Sequence, residues 1–225
     1  MAMPNQFLPA AANTTLRQQL RSEMRARRQA LTKAQQQQAA VDLVSAFAGQ
    51  TALQPAQHIA LYLTNDAELD TSLLIAWLWQ QGKQLYLPVL HPFAPGYLLF
   101  QRYSTDTPMR PNRFGIPEPV LNCSQICPLS QLSLICLPLV AFDAAGNRMG
   151  MGGGFYDRTL AQLQFCSQTM PLQQSGQRPE QPQRLQQPML LGLAHQCQQL
   201  DALPQQAWDI PLNAVLTPTR LFVAD

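Results

Sequence analysis

The sequence predicts an α/β protein: a single three-layer α/β/α domain over residues 1–225, built on a mostly parallel central sheet. Three observations predict it. His58 to Leu87 reads as strand, helix, strand, and a helix bridging two strands sets those strands parallel. Ser133-Leu134-Ile135-Cys136-Leu137-Pro138 is apolar at successive positions, the pattern of a central strand covered on both faces. The chain beyond Pro188 holds three short strand patterns and too few residues for a second core, so these complete the same sheet.

In chain order, residues 1–13 read as a flexible leader. Thr14 or Thr15 is placed to cap a helix running to Ala30, with Leu16, Leu20 and Met24 in one stripe. Arg17, Arg21, Arg25 and Arg28 recur at helical spacing beside it. Taken alone, such a row reads as a solvated basic face. Thr32 is placed to cap a second helix that turns Val41, Val44 and Phe47 inward. A strand pattern then runs from His58 to Leu63. After a polar turn, Thr71 is placed to cap a helix from Ser72 to Gln81, and Gly82 stops it. The next strand pattern runs from Gln84 to Leu87. Tyr97 to Tyr103 reads as a further strand, antiparallel to its neighbours, and Pro108 to Pro119 as a proline-rich loop. The apolar strand from Ser133 leads to a glycine-rich loop, Gly146 to Gly154, and then to a helix from Phe155 to Gln164. Residues 166–188 form a Gln/Pro-rich insertion. Strand patterns at Met189 to Ala194, Ala214 to Leu216 and Leu221 to Val223 close the chain.

Composition narrows the function. Of the residues, 46% are hydrophobic and only 12% charged, which excludes a disordered chain. A net charge of +2 is too small for a nucleic-acid binder. The longest apolar run, Leu134 to Phe142, is broken by Pro138, so no membrane span is expected. Five cysteines without a C-x-x-C pair read as reduced thiols of a cytoplasmic protein.

Chemistry concentrates in the segment Phe142 to Arg158. Glycines at 146, 150, 152, 153 and 154 allow close backbone approach. Exposed amides and the following helix N-terminus make an anion site. Arg148 adds a fork of donors suited to phosphate oxygens. Asp157 falls in the first turn of that helix, either as a cap or as a ligand to magnesium beside a bound phosphate. No Gly-Lys-Ser/Thr ends the loop, so it is not a Walker A loop. Residue chemistry alone stops at a phosphate-bearing ligand.

The whole segment resembles the 5-formyltetrahydrofolate cyclo-ligase family, also called 5,10-methenyltetrahydrofolate synthetases. The resemblance is carried by Leu137-Pro138-Leu139-Val140-Ala141-Phe142-Asp143, Gly146-Asn147-Arg148-Met149-Gly150 and Gly152-Gly153-Gly154-Phe155-Tyr156-Asp157-Arg158. It extends to the basic helix around Arg17, Leu20 and Arg21, to Leu63 and Glu68, to Phe114-Gly115-Ile116-Pro117-Glu118-Pro119, and to Asp209-Ile210-Pro211-Leu212. Phe155 stands where the family often has Tyr, and Asn213 where it often has Asp.

The resemblance implies a ligase of one-carbon metabolism. ATP would phosphorylate the formyl oxygen of 5-formyltetrahydrofolate, and ring closure would give 5,10-methenyltetrahydrofolate, ADP and phosphate. It implies Arg148 as the catalytic residue. ATP binding falls to Arg17, Arg21, Arg148, Met149, Gly150, Met151, Gly152, Gly153, Gly154, Phe155 and Tyr156. The folate falls to Leu63, Glu68, Phe114 and Tyr156, and Mg²⁺ to Asp157 and Asp209. The expected protein is a cytoplasmic monomer with small-molecule partners only. Two other readings stay open on residues alone: a sugar-phosphate isomerase or CoA-transferase-like enzyme on a similar fold, and a nonenzymatic folate- or nucleotide-binding protein.

Overall fold

The computed structural model describes residues 10–168 and 187–224. Most of the expected leader (1–9) and of the insertion (169–186) lies outside the described residues.

The first helix, α1 (Ala10–Gln29), is already helical at Ala10, so neither Thr14 nor Thr15 is its cap. Helix α2 (Lys33–Ala48) opens on a complete capping box: Gln35 N donates to Thr32 Oγ1 at 3.2 Å, and Thr32 N donates to Gln35 Oε1 at 2.9 Å. It buries Ala40, Leu43 and Phe47, spaced three and four apart. Val41, expected inward, is half exposed because it stands a quarter-turn round from Ala40.

The chain continues through β1 (His58–Ala60), α3 (Ser72–Gln80), β2 (Gln84–Leu90) and β3 (Leu98–Tyr103). Thr71 holds the N-cap position of α3, with Ile75 N donating to its carbonyl at 2.8 Å, but its side chain makes no capping bond. Its hydroxyl donates to Tyr62 O at 2.6 Å, and Asp70 Oδ1 accepts from Ser72 N at 2.8 Å instead. The proline-rich loop is a hairpin of β4 (Met109–Pro111) and β5 (Pro117–Pro119), followed by β6 (Ile126–Cys127). Next come β7 (Leu134–Pro138) and a second hairpin, β8 (Ala141–Phe142) with β9 (Arg148–Met149). Helix α4 (Phe155–Gln168) runs three residues into the expected insertion, and β10 (Met189–Leu193), β11 (Ala214–Leu216) and β12 (Leu221–Val223) follow.

Eight strands form one sheet in the order β12-β11-β10-β7-β1-β2-β3-β6. The five central strands, β11 to β2 in that order, are parallel, and both flanks are antiparallel. Strand β7 is central, as its two apolar faces require. Leu134 and Cys136 face the layer that holds Leu43 and Phe47 of α2 and Leu74 and Leu78 of α3. Ile135 and Leu137 face the opposite layer, with Leu160 of α4. Each fully buried Leu or Phe of this sandwich contributes about 1.5–3 kcal/mol. Helix α1 instead lies across the β8–β9 hairpin, with Met24 against Val140, Ala141 and Met149.

The order of strands reverses between β1 and β7. From β1 the chain moves to β2, whereas from β7 it moves the other way to β10 and β11. Such a switch point leaves a crevice at the carboxyl ends of the two strands, the usual binding place of open α/β sheets.

Candidate active site

A cleft of about 470 Å³ opens at that switch point. Its floor comes from the segments after β1 (Tyr62, Leu63, Asn65, Asp66, Glu68) and after β7 (Pro138, Leu139). One wall is the glycine loop and the start of α4; the other is the β4–β5 hairpin with Phe114 at its tip. Of the residues expected from sequence, Leu63, Glu68, Phe114, Arg148, Gly150, Met151, Gly153, Gly154, Phe155, Tyr156 and Asp157 line this one cleft. Arg17, Arg21, Met149, Gly152 and Asp209 do not.

The sequence predicts a glycine loop running straight from strand to helix, and the structure differs. The β8–β9 hairpin comes first. Asp143 builds it: the carboxylate accepts the amides of Ala145 and Asn147 at 3.1 Å each and the Asn147 side chain at 2.9 Å. The Phe-Asp and Gly-Asn parts of the family pattern are therefore turn chemistry, and they deliver Arg148 to the cleft. Beyond it, Gly152 (φ +97°) and Gly154 (φ +65°) take left-handed backbone that L side chains rarely adopt. A Cβ on Gly154 would also lie 2.7 Å from Arg158 Nη1. The loop thus folds tightly against the first turn of α4, whose N-terminal amides favour anions.

Arg148 is buried, and its Nη2 donates to Asp157 Oδ1 at 2.5 Å. Its Nε has no hydrogen-bond partner among the described residues. Burial lowers its pKa, although the neighbouring Asp157 opposes the shift. A buried guanidinium with an unused donor beside a glycine loop is built to meet an anion. The Tyr156 hydroxyl, also buried in the cleft wall, likewise has no partner among the described residues, and desolvation raises its pKa.

The arginine row on α1 is not a solvated face. Arg17 donates to both oxygens of Asp209, at 2.5 and 3.0 Å, and to Pro204 O at 2.7 Å. Arg21 Nε donates to Gly150 O at 2.9 Å. Arg25 Nε donates to Asp66 Oδ2 at 2.7 Å. Arg28 is wholly buried and reaches Asp66 Oδ2 at 2.7 Å, Asp66 O at 2.8 Å and Leu139 O at 3.3 Å. One helix face therefore holds four segments, those at Pro204 and Asp209, Gly150, Asp66 and Leu139, of which the last three line the cleft. Sequence reasoning missed Arg25 and Arg28; their shared spacing with Arg17 and Arg21 was the available signal.

The Asp66 clamp matters because the turn it grips is strained. Asp66 (φ 51°) and Ala67 (φ 57°) both sit in left-handed backbone, closed by Glu68 N donating to Asn65 O at 3.0 Å. Such residues persist where their surroundings fix them. Arg25, Gln29 and Arg28 together hold the Asp66 carboxylate and lower its pKa to about 2. Two residues on, Glu68 lines the cleft. Desolvation pushes its carboxyl up to about 7, against the lowering pull of Arg28. A carboxyl shifted by desolvation inside a cleft is a candidate functional group.

Glu118, in the same cleft wall, was also missed as a site residue. It is buried, and it accepts Leu90 N at 3.1 Å and Asn112 Nδ2 at 3.3 Å. Phe114 stands half exposed, edge-on to Phe155 with centroids 5.7 Å apart.

The two carboxylates expected to hold a metal are each engaged by an arginine, Asp157 by Arg148 and Asp209 by Arg17. Ile210 N donates to Asp157 Oδ1 at 3.3 Å, which brings the segment carrying Asp209 against α4. Both hydrogen bonds to Asp157 fall on Oδ1. Among the described residues no three His, Cys, Asp or Glu side chains cluster as a metal cage. This donor set fits magnesium only in its usual nucleotide-bound form, where phosphates and water fill most positions and the protein adds one or two carboxylates.

A mostly parallel sheet with a switch-point cleft, walled by the Phe114 hairpin on one side and by a glycine loop beside a buried arginine on the other, is the arrangement of an α/β enzyme. A model of the 5-formyltetrahydrofolate cyclo-ligase family matches residues 13–218. The chain belongs to that family. A 5-formyltetrahydrofolate cyclo-ligase of Haemophilus influenzae is 47% identical over 204 residues, 91% of this chain and 98% of the relative. One from Escherichia coli K12 is 42% identical over 199 residues, 88% and 98% respectively. Among solved structures, a 5,10-methenyltetrahydrofolate synthetase of Aquifex aeolicus superposes with a TM-score of 0.72 at 24% identity, over 93% of each chain. The likeness to that structure speaks for the fold. Among the described residues no helix is long and apolar enough to cross a membrane.

Proposed function

We propose that this chain cyclises 5-formyltetrahydrofolate to 5,10-methenyltetrahydrofolate with ATP, releasing ADP and phosphate. The observation that carries the proposal is the convergence, on one cleft, of a buried arginine with an unused donor, a glycine loop at a helix N-terminus, and a carboxyl opposite an exposed phenylalanine.

The formyl oxygen is an amide-type oxygen and leaves poorly. It attacks the γ-phosphorus of ATP, the bond to ADP breaks, and an N5-iminium phosphate results. N10 then adds to the activated carbon, the C–O bond breaks with loss of phosphate, and N10 gives up its proton. No step needs a protein nucleophile. Catalysis is alignment and charge stabilisation. Arg148 meets the transferring phosphoryl group through Nε and Nη1. The amides of residues 149–154 and the start of α4 take the remaining phosphate oxygens. Arg21 fixes the loop through Gly150 O, and Arg17 fixes Asp209. Glu68 accepts N–H groups of the pterin, Leu63 packs beside it, and Phe114 and Tyr156 hold the ring faces. A magnesium ion, when bound with the nucleotide, supplies charge neutralisation; Asp157 and Asp209 would hold it, directly or through water. The same reading takes the chain as one catalytic domain and a cytoplasmic monomer.

The test is a mixture of purified protein, Mg-ATP and 5-formyltetrahydrofolate. The methenyl product has its own near-ultraviolet band, and ADP should appear one for one with it. ATP hydrolysis that ignores the folate, or folate binding without ADP release, would refute the proposal.

A further inference from the structure

In a planar trans peptide the carbonyl and the N–H that follows it point in opposite directions, so tying back a carbonyl aims the next amide. Three carbonyls of the glycine loop are tied back. Gly150 O accepts Arg21 Nε at 2.9 Å, Gly153 O accepts Arg158 Nη2, and Gly154 O accepts Arg158 N at 3.0 Å. The amides that follow belong to Met151, Gly154 and Phe155, and among the described residues none of the three donates a hydrogen bond. The side chain of Arg158 reaches further. Its Nε donates to Gly96 O at 3.0 Å, in the turn between β2 and β3. One exposed guanidinium thus joins the glycine loop to a turn of the main sheet, and both of its side-chain bonds go to main-chain carbonyls. Glycines on both sides keep its slot open. A Cβ on Gly96 would lie 2.6 Å from Arg158 Nε, and one on Gly154 2.7 Å from Nη1. The neighbouring Thr159 fastens the same joint, its Oγ1 accepting Leu98 N at 2.9 Å.

We propose that Arg158 is a positioning residue for the nucleotide: it aims the Gly154 amide at the phosphate chain and touches neither ATP nor the folate. The inference rests on the cyclo-ligase reading, in which the glycine loop takes the phosphates, and adds what holds that loop in shape. A run of glycines is free to turn its peptides many ways, and that freedom is lost when an anion binds. Arg158 removes it beforehand from the α4 side, and Arg21 does the same for the Met151 amide from the α1 side. Donors fixed before the phosphate arrives need no reorganisation when charge moves onto it. The fork of a guanidinium suits the task because two of its N–H groups can hold two carbonyls at once, which a lysine ammonium on a flexible stem does poorly.

The test measures Mg-ADP affinity by calorimetry and initial rates by methenyl absorbance. The proteins are wild type, Arg158→Ala, Arg158→Lys, Gly96→Ala and the double variant Arg158→Ala/Gly96→Ala. Arg158→Ala should weaken Mg-ADP binding and raise KM for ATP about tenfold, the worth of one hydrogen bond to a charged group, and leave KM for 5-formyltetrahydrofolate unchanged. Arg158→Lys keeps the charge but not the fork, so it should stay close to the alanine variant. Gly96→Ala keeps the arginine but pushes its guanidinium aside, and should weaken Mg-ADP severalfold. In the Arg158→Ala background the same change should weaken it no further, because the group it displaces is gone. Wild-type affinity in both Arg158→Lys and Gly96→Ala would overturn the proposal, since Arg158 would then be only a charge beside the phosphates. So would equal rises in KM for ATP and folate, which would mean that α4 had shifted. The two readings fail separately. Wild type that binds Mg-ADP but forms no methenyl product removes the cyclo-ligase reading, and the Mg-ADP affinities still decide the role of Arg158. Wild type that binds no Mg-ADP removes that role.

Discussion

Replacing Arg148 with alanine takes away a buried guanidinium that is held on one side by Asp157 and whose Nε has no partner among the described residues. Two consequences separate cleanly. For the reaction, deleting one preorganised donor at developing charge typically costs about 10²–10³ in kcat, and an arginine facing a transferring phosphoryl group sits at the upper end. The expected loss is therefore about 10³-fold, near 4 kcal/mol of transition-state stabilisation. For the fold, removing one partner of a buried ion pair costs about 3–5 kcal/mol. The Asp157 side chain is 18% exposed and keeps its bond from Ile210 N, so about 2 kcal/mol is the better figure here. In a chain of this length that lowers the thermal midpoint by about 4–8 °C. Methenyl absorbance at saturating substrates reads the first effect, and circular dichroism melting reads the second. The double variant Arg148→Ala/Asp157→Asn should regain most of the midpoint, because no lone buried carboxylate is left, and none of the rate. A kcat within threefold of the parent would refute the assignment of Arg148 to the phosphoryl group.

Other expectations follow from the same geometry. Arg28→Met should lower stability by about 3 kcal/mol and raise KM for the folate more than for ATP, since it removes the bonds to Asp66 and Leu139 and, from the glycine loop, only a 4.0 Å contact to Met151 Sδ; equal effects on both would contradict the clamp. Ala67→Gly relieves a left-handed alanine, worth about 1–2 kcal/mol, against about 1 kcal/mol of added chain entropy, so the urea midpoint should hold or rise slightly. Glu68, with its pKa raised from 4.5 to about 7, binds a proton more tightly in the folded chain, so its contribution falls as pH rises from about 4.5 to 7. His195, lowered by burial from 6.5 to about 4, acts oppositely: unfolding takes up a proton there, and stability falls as pH drops from 6.5 to 4. Glu68→Gln should therefore unmask a steeper acid-side loss in pH-dependent melting, and a curve unchanged from wild type would refute the Glu68 shift. Phe114→Ala should raise KM for the folate about tenfold and leave the thermal midpoint nearly unchanged, because the ring is half exposed.

Much of this arrangement can be read from residue pattern. The β7 strand could be called central because Leu134 to Leu137 is apolar on both faces, and the sheet bears that out. The βαβ unit from His58 likewise appears as read, with β1 and β2 parallel. What pattern does not reveal is contact between segments distant in sequence. The α1 arginines look like a wet surface because spacing records which residues share a helix face and not what lies opposite. Arg17 meets Asp209, and Arg28 meets Asp66, through packing of α1 on the β8–β9 hairpin. Short hairpins escape for a related reason. β8 and β9 have two residues each, too few for any alternation to show, and only the Asp143 hydrogen bonds define their turn. Backbone strain at Asp66 and Ala67 is also hidden, since neither residue type announces positive φ as glycine does.

The central claim is that this cleft aims a phosphoryl group at the formyl oxygen, and oxygen labelling tests it most directly. With 5-formyltetrahydrofolate carrying ¹⁸O in the formyl group, single-turnover reaction with Mg-ATP should deliver the label into inorganic phosphate. Label found in water, with unlabelled phosphate, would mean that the formyl oxygen is never phosphorylated.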